Sequence, residues 1–387
     1  MLNKEIKFLN FNYVSQSKKK KTIVRNILNT LLKENNQILE SMKKNYQDSY
    51  NQKIISNCHK INEINVIGMG GSALGAKAIY SFLKPLKKKF NFFDNISNKK
   101  IINSKKKSIN LIISKSGDTL ETISNSNLLL NKKKNIFISE SKKSYLTLLA
   151  NKIRAEVVSH NNFIGGRYSV LSEVGMLPAQ LMGLDPSKFR KFNDLVKSNK
   201  FINALVNNVL SILYFHKQKK TNSIILNYDD YSDDLFRWYQ QLVAESLGKK
   251  NKGILPIISK MPCDNHSLMQ YYLEGNTNHF FTFFFVKEKK QINKINNKII
   301  LDEKHYLKNK SLNEISFSQF MATQNVFKSK KIPFRSFVIS KRTESTLGEL
   351  FSFFMIETIM LGKLLNINPY DQPAVELIKK STLKILK

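Results

Sequence analysis

Cysteine is nearly absent from this chain: Cys58 and Cys263 are its only two thiols. Two cysteines cannot build a disulfide framework, and neither falls in a Cys-x-x-Cys pair or a Cys/His metal spacing. A reducing, cytoplasmic setting without a structural metal is expected. The N-terminal segment MLNKEIKFLN lacks the uninterrupted apolar core of a signal peptide. The longest apolar runs, such as Phe280–Val286, are far too short to cross a bilayer, so no membrane partner is expected.

Acidic residues are also scarce, 29 against 63 Lys and Arg, for a formal net charge of +34. That balance invites a nucleic-acid reading. Arginine, the better fork for phosphate and base edges, supplies only seven of the 63 cations, which argues against it. The lysines come in scattered runs (Lys18–Lys21, Lys87–Lys89, Lys105–Lys107, Lys132–Lys134, Lys287–Lys290) among Asn and Ile. They read as solvated faces and loops whose field draws anionic substrates towards a cleft.

The length suits two domains. Residues 1–50 form a polar helical arm, with apolar periodicity around Ile23–Leu39, leading into a first domain at 51–195. There strand, turn and helix alternate: strands at Ile64–Ile67, Ile109–Ile113, Ile136–Ile138 and Ala155–Val158, helices starting near Ser72, Thr119 and Lys143. The polar stretch Pro186–Asn199 passes towards a second α/β domain at 196–387. Its strands are expected at Ser223–Leu226, Ile254–Ile258, Phe281–Val286 and Phe334–Ile339, and its helices at Leu235–Leu247 and Thr346–Leu365. The second helix is apolar on several sides, hence buried in the core or in a subunit interface. Residues 287–312 read as an exposed insertion. The pattern predicts two doubly wound α/β domains with mainly parallel sheets flanked by helices.

Ligands in such sheets sit at the carboxyl ends of the strands. Two small-residue turns fall there: Gly68-Met69-Gly70-Gly71-Ser72, and Ser114-Lys115-Ser116-Gly117-Asp118-Thr119. Free N–H groups, hydroxyls and a helix N-terminus at each turn make an anion pocket, and two neighbouring turns hold one phosphate between them. The first is not a dinucleotide fingerprint, because no acidic residue ends a following strand and Asp94 lies in a polar loop. An ordinary capped helix start, with Ser116 or Asp118 as cap, also accounts for part of the second. It does not account for Lys115, whose cation repels a helix N-terminus unless an anion lies between.

Three further groups have site character. In Gly165-Gly166-Arg167 two glycines allow close backbone approach beside a guanidinium, although a plain Arg–carboxylate pair reads equally well. Gln241 and Glu245, four apart on one helix, can face one cleft, with Glu245 as a general base. His266 lies in a turn-rich loop after a strand, whereas His160, His216 and His279 have no clear partner pattern. Gln372 starts the last helix, with Lys379 two turns in.

Taken in order, GMGGSALG (68–75), SKSGDTLET (114–122), GGRYSVLSEVG (165–175), QLVAESLGK (241–249) with DNHSLMQ (264–270), and NPYDQPAVELIKK (368–380) closely resemble the glucose-6-phosphate isomerase (phosphoglucose isomerase) family, built of two sugar-isomerase domains. The anchors span about 310 residues. The resemblance implies that Gly71, Ser72, Ser114, Lys115, Ser116 and Thr119 bind a sugar phosphate. It implies that Gly166 and Arg167 line the sugar, Arg167 offsetting enediolate charge, and that Gln241 and Gln372 contact substrate. Glu245 would move the proton between C2 and C1; His266 and Lys379 would assist ring opening. No metal or other cofactor is implied, and a homodimer is, because the family takes its histidine from the neighbouring subunit. The implied activity is aldose–ketose isomerisation of glucose 6-phosphate and fructose 6-phosphate, with a glucose/mannose-6-phosphate isomerase or a non-catalytic sugar-phosphate binder as alternatives. The chain departs from the family in its shorter length, which implies trimmed loops or ends. It departs also at Ala244–Gly248, at Pro373 and at Glu173, where the Arg-containing motif normally has a small residue.

Overall fold

The computed structural model describes residues 1, 3–11, 17–85, 87–97, 108–130, 134–287 and 293–386. The lysine run 105–107, and parts of the runs 132–134 and 287–290, lie outside the described residues. Ten strands are described: β1 (Ile6–Leu9), β2 (Glu63–Ile67), β3 (Lys89–Phe93), β4 (Ser108–Ile113), β5 (Lys134–Ser139), β6 (Glu156–Ser159), β7 (Asn222–Asn227), β8 (Leu255–Lys260), β9 (His279–Val286) and β10 (Phe334–Ile339). They form two five-stranded sheets, ordered β3-β2-β4-β5-β6 and β1-β10-β9-β7-β8. Every pairing is parallel except that of β1 with β10.

Strands buried on both faces explain why these segments read as nearly continuous apolar runs. Along β9 the faces alternate: Phe280, Phe284 and Val286 join the large cluster between the sheets. Phe281, Phe283 and Phe285 pack outward against Phe320 and Phe327 of the helix Leu312–Ser329. In the first sheet Ile64, Val66, Ile109 and Leu111 face the central cluster, while Ile67, Ile112 and Phe137 face an outer one with Leu129, Leu146 and Ala150. Asparagines cross that sheet as a ladder: the Asn91 amide donates to Asn65 (3.0 Å), Asn65 to Asn110 (2.9 Å) and Asn110 to Asn135 (2.9 Å). Each buried amide thus finds a partner, which removes the cost of hiding a polar group.

Several expectations need correcting. β3 was not anticipated, since its Lys and Asn residues mask an edge strand. The N-terminal segment is not wholly a helical arm to the first domain, because β1 adds to the edge of the second sheet. The apolar periodicity over Ile23–Leu39 belongs to two helices, Lys18–Lys33 and Gln37–Ser41, separated where the Asn36 side chain caps the second. Pro186–Asn199 is not a polar connector. It holds two short helices, Pro186–Phe189 and Phe192–Leu195, with Phe189, Phe192 and Leu195 buried. The helix Glu344–Leu364 lies in the core of this chain, with every residue from Thr346 to Gly362 buried.

The helix Asp233–Leu247 packs on β8 and on the helices Gly71–Leu83 and Glu344–Leu364, and a fully buried polar cluster fixes it. Arg335 pairs with Glu357 and donates to Thr282 (2.9 Å), Asn208 (2.9 Å) and the Tyr239 hydroxyl (3.0 Å). Tyr239 in turn donates to Glu357 at 2.9 Å. Removing one partner from such a cluster leaves an uncompensated buried charge, so the helix is held in one register.

Candidate active site

The first sheet ends its strands on one side of a cleft of about 300 Å³. β2 runs into Gly68–Gly71 and the helix Gly71–Leu83; β4 runs into Ser114–Thr119 and the helix Leu120–Leu129. Both helices start without a side-chain cap. In the first helix the Ser72 and Ala73 amides already donate to the Met69 (3.1 Å) and Gly70 (3.0 Å) carbonyls, so the Gly71 N–H and the dipole end are what it offers. The second helix bonds its own turn first through the Ile123 amide, to the Thr119 carbonyl at 3.0 Å. Helix starts of this kind favour an anion. Ser116 and Asp118 do not cap their own helix. Ser116 Oγ accepts from the Asp118 amide (3.2 Å), and Asp118 Oδ1 accepts from the Tyr145 amide (2.8 Å), capping the next helix instead.

Gly71, Ser72, Lys115, Ser116, Thr119, Gly166, Arg167, Gln241, Glu245, Gln372 and Lys379 all line this cleft. Ser114 does not. It is buried behind the turn, where its Oγ lies 3.0 Å from Thr119 Oγ1 and accepts from the Gly117 amide at 3.1 Å. Gly70 needs its positive φ of 52°, and a Cβ on Gly71 would come within 2.1 Å of the Gly166 backbone. These glycines let the first and third segments touch, main chain to main chain.

Arg167 is buried, and its fork is fully engaged. Nε donates to Ser246 Oγ (2.8 Å), and the terminal nitrogens donate to Gln372 Oε1 (2.7 Å) and to the carbonyls of Pro369 (2.7 Å) and Asp371 (3.1 Å). The same guanidinium lies 3.3 Å from Glu245 Oε1. Trp238 donates its indole N–H to the Arg167 carbonyl at 3.1 Å, locking that segment onto the helix that carries Glu245. Gln241 Nε2 donates to the other Glu245 oxygen at 2.9 Å. Gln241 Oε1 is buried with no hydrogen-bond partner among the described residues.

Sequence reasoning missed Glu140 and Lys142, which also line the cleft. Glu140 lies 3.5 Å from Lys115 Nζ and 2.7 Å from Lys142 Nζ. Their signal was position, just past β5, where the strand-end rule already pointed. Ser246 and Lys249 were missed as supports; Lys249 Nζ holds Asp371 at 2.6 Å and so braces the segment before Gln372. His266 is placed elsewhere: it is exposed at the end of the short turn Cys263–His266 and does not line this chain's cleft. Lys379 lies on the helix Pro373–Leu386, paired with Glu376 at 2.7 Å.

Two mainly parallel five-stranded sheets flanked by helices, with uncapped helix ends at a cleft, define a class, that of the sugar-isomerase (SIS) fold. Solved structures share it. A hypothetical protein from Thermus thermophilus superposes with a TM-score of 0.84 over 95% of each chain at 23% identity. A glucose-6-phosphate isomerase from Chlamydia trachomatis superposes with a TM-score of 0.69 over 90% of this chain and 78% of that one, at 19% identity. Within that class the Phosphoglucose isomerase family model matches residues 12–284. The glucose-6-phosphate isomerase of Methanocaldococcus jannaschii is 34% identical over 83% of this chain and 84% of its own. That of Mycoplasmopsis pulmonis is 34% identical over 83% and 82%. The chain belongs to the phosphoglucose isomerase family. Among the described residues no helix is long and apolar enough to cross a membrane.

Proposed function

We propose that this chain interconverts glucose 6-phosphate and fructose 6-phosphate in a reducing, cytoplasmic compartment. One observation carries the reading: a single cleft joins two uncapped helix N-termini to a carboxylate, Glu245, held between Arg167 at 3.3 Å and Gln241 at 2.9 Å. Moving a carbonyl from C1 to C2 requires a base that takes the proton from C2 and returns it at C1. It also requires a cation beside the enediolate oxygen formed in between. Glu245 supplies the first and Arg167 the second. The phosphate, gripped by Ser72, Lys115, Ser116 and Thr119 with the main chain of Gly71, sets the distant carbons against the base; Ser114 supports that turn from behind. Gly166 and Gln372 line the sugar between the two ends. A sensor would need only the grip, so the catalytic carboxylate beside a cation disfavours a non-catalytic binder.

Ring opening falls to Lys379 and to His266. Because His266 stands outside its own chain's cleft, it is assigned to the cleft of a second copy in a homodimer. Leu377, Ile378 and Ile385, 70%, 70% and 82% exposed on the helix Pro373–Leu386, support a subunit contact. Residues 51–195 and 196–387 are taken as the two domains, each with its own sheet, the second sheet completed by β1.

A coupled assay on purified protein tests the activity in both directions; no turnover in either, with fructose 6-phosphate bound, rejects it. Co-expressing Glu245→Gln and His266→Ala chains tests the dimer. If His266 acts across subunits, the hybrid regains one intact site and turnover returns, whereas an inactive mixture rejects the shared site.

A further inference from the structure

Outside the cleft the first domain hides a charged group that the chemistry does not use. His160, at the end of β6, is 2% exposed, and Glu173, at the start of the helix Glu173–Leu181, is 1% exposed. His160 Nδ1 lies 2.5 Å from Glu173 Oε1, and its Nε2 lies 2.9 Å from the Ile164 carbonyl oxygen. A neutral imidazole has one N–H and one lone pair, and a carbonyl only accepts. With an acceptor at each nitrogen, both must donate, provided that Glu173 is ionised. Its surroundings favour that state. Oε1 also accepts from the Asn161 amide at 3.0 Å and Oε2 from the Tyr46 hydroxyl at 3.2 Å. Burial pushes the Glu173 carboxyl up, but the hydrogen bond and charge of His160 and the Asn161 amide bring it below the ordinary carboxylate value. The other charges nearby are Asp48 and Arg190, which neutralise each other as a pair at 2.6 Å.

The loop so pinned leads to the cleft. Lys115 Nζ donates to the Asn162 carbonyl at 2.8 Å, and the loop ends at Gly165-Gly166, against Gly71. We propose that His160, held as an imidazolium between Glu173 and the Ile164 carbonyl, is a positioning residue that sets the loop 160–164 and through it the phosphate-binding cation Lys115. This rests on the reading of Lys115 as a phosphate ligand. Glu173, a departure from the family's motif, thereby gains a function: it fixes from within the loop that carries the lysine's acceptor. Arg167 depends on other supports, namely Ser246, Gln372 and the Pro369 and Asp371 carbonyls. Loosening the clamp therefore weakens substrate grip more than it slows the chemical step.

The test has a spectroscopic and a kinetic arm. In protein labelled with ¹⁵N at histidine, the long-range ¹H–¹⁵N pattern of His160, assigned with a His160→Gln variant or by its insensitivity to sugar phosphate, shows both nitrogens protonated at pH 7.5. A neutral tautomer there overturns the proposal. In the kinetic arm, Glu173→Gln, checked for folding by its melting curve, raises KM for fructose 6-phosphate about tenfold, the scale of one charge-assisted hydrogen bond, while kcat changes little. Glu173→Asp serves as the milder variant if Gln does not fold. Lys115→Ala is run alongside. If it raises KM and the Glu173 variants do not, the clamp is rejected; if it leaves KM alone, the phosphate-site reading fails, and the clamp's kinetic role with it.

Discussion

On the proposed assignment of a carbonyl end and a phosphate end, the two ends of the cleft are built on opposite principles. At the carbonyl end one buried guanidinium makes four hydrogen bonds and an ion pair, and a single carboxylate is held from both sides. At the phosphate end the contacts are turns, hydroxyls and half-exposed cations shared among several groups, with Lys115 and Lys142 both facing Glu140. Chemistry demands one atom in one place, so that end is over-determined. Gripping a dianion tolerates redundancy, so the other end spreads its donors over two helix starts.

The largest effect expected from this contrast is at Glu245. Replacing it with Gln removes the proton carrier but keeps size and the Gln241 contact. Turnover should fall on the order of 10²- to 10⁴-fold, with binding of fructose 6-phosphate retained. Isothermal titration beside the coupled assay separates the two, and unimpaired turnover would remove Glu245 from the role. Arg167→Lys comes next. A lysine keeps a charge but cannot reach Ser246, Gln372 and two carbonyls together, so kcat should drop on the order of 10²- to 10³-fold with a smaller change in KM. An equal loss in kcat and gain in KM would mean that the guanidinium serves binding as much as chemistry.

Single changes at the phosphate end should cost far less. Ser72→Ala removes one neutral donor among many, and KM should rise about threefold with kcat preserved. Salt gives the same contrast without mutation. Going from about 0.01 M to about 0.15 M ionic strength shortens the Debye length from about 30 Å to about 8 Å, which raises KM and leaves kcat flat. If kcat falls with salt as steeply as KM rises, the buried end is not insulated and the contrast fails.

Much of this contrast was legible in the residues. The turns at 68–72 and 114–119 announced themselves because glycines and hydroxyls gather where apolar runs end, and Gln241 and Glu245 because helical spacing puts them on one face. What stayed hidden depends on tertiary placement. Nothing local marks Lys89–Phe93 as a strand until β2 supplies its partner and Asn65 takes up the Asn91 amide. Nothing near Ser246 tells of a guanidinium that arrives from a segment 79 residues earlier. His160 had no sequence partner, because Glu173 meets it only when the loop between them folds back; the substitution that looked like a mere departure was half of a pair.

On the proposed reading that pair also joins the two ends, because its loop carries the Asn162 carbonyl to which Lys115 donates. Acid gives the smallest effect. The Glu173 carboxyl is held below its ordinary value of 4.5 in the folded chain. A carboxyl depressed by folding contributes stability above its unfolded value and loses it as pH falls through the folded one. The melting temperature of the native chain should therefore exceed that of Glu173→Gln at neutral pH, and the gap should close as pH is lowered below about 4.5. The other carboxylates titrate in both proteins alike and cancel in the difference. At this chain length the gap is about 2 °C, within reach of calorimetry run in parallel on both proteins. A gap that does not close below about pH 4.5 would mean that folding does not depress the Glu173 carboxyl.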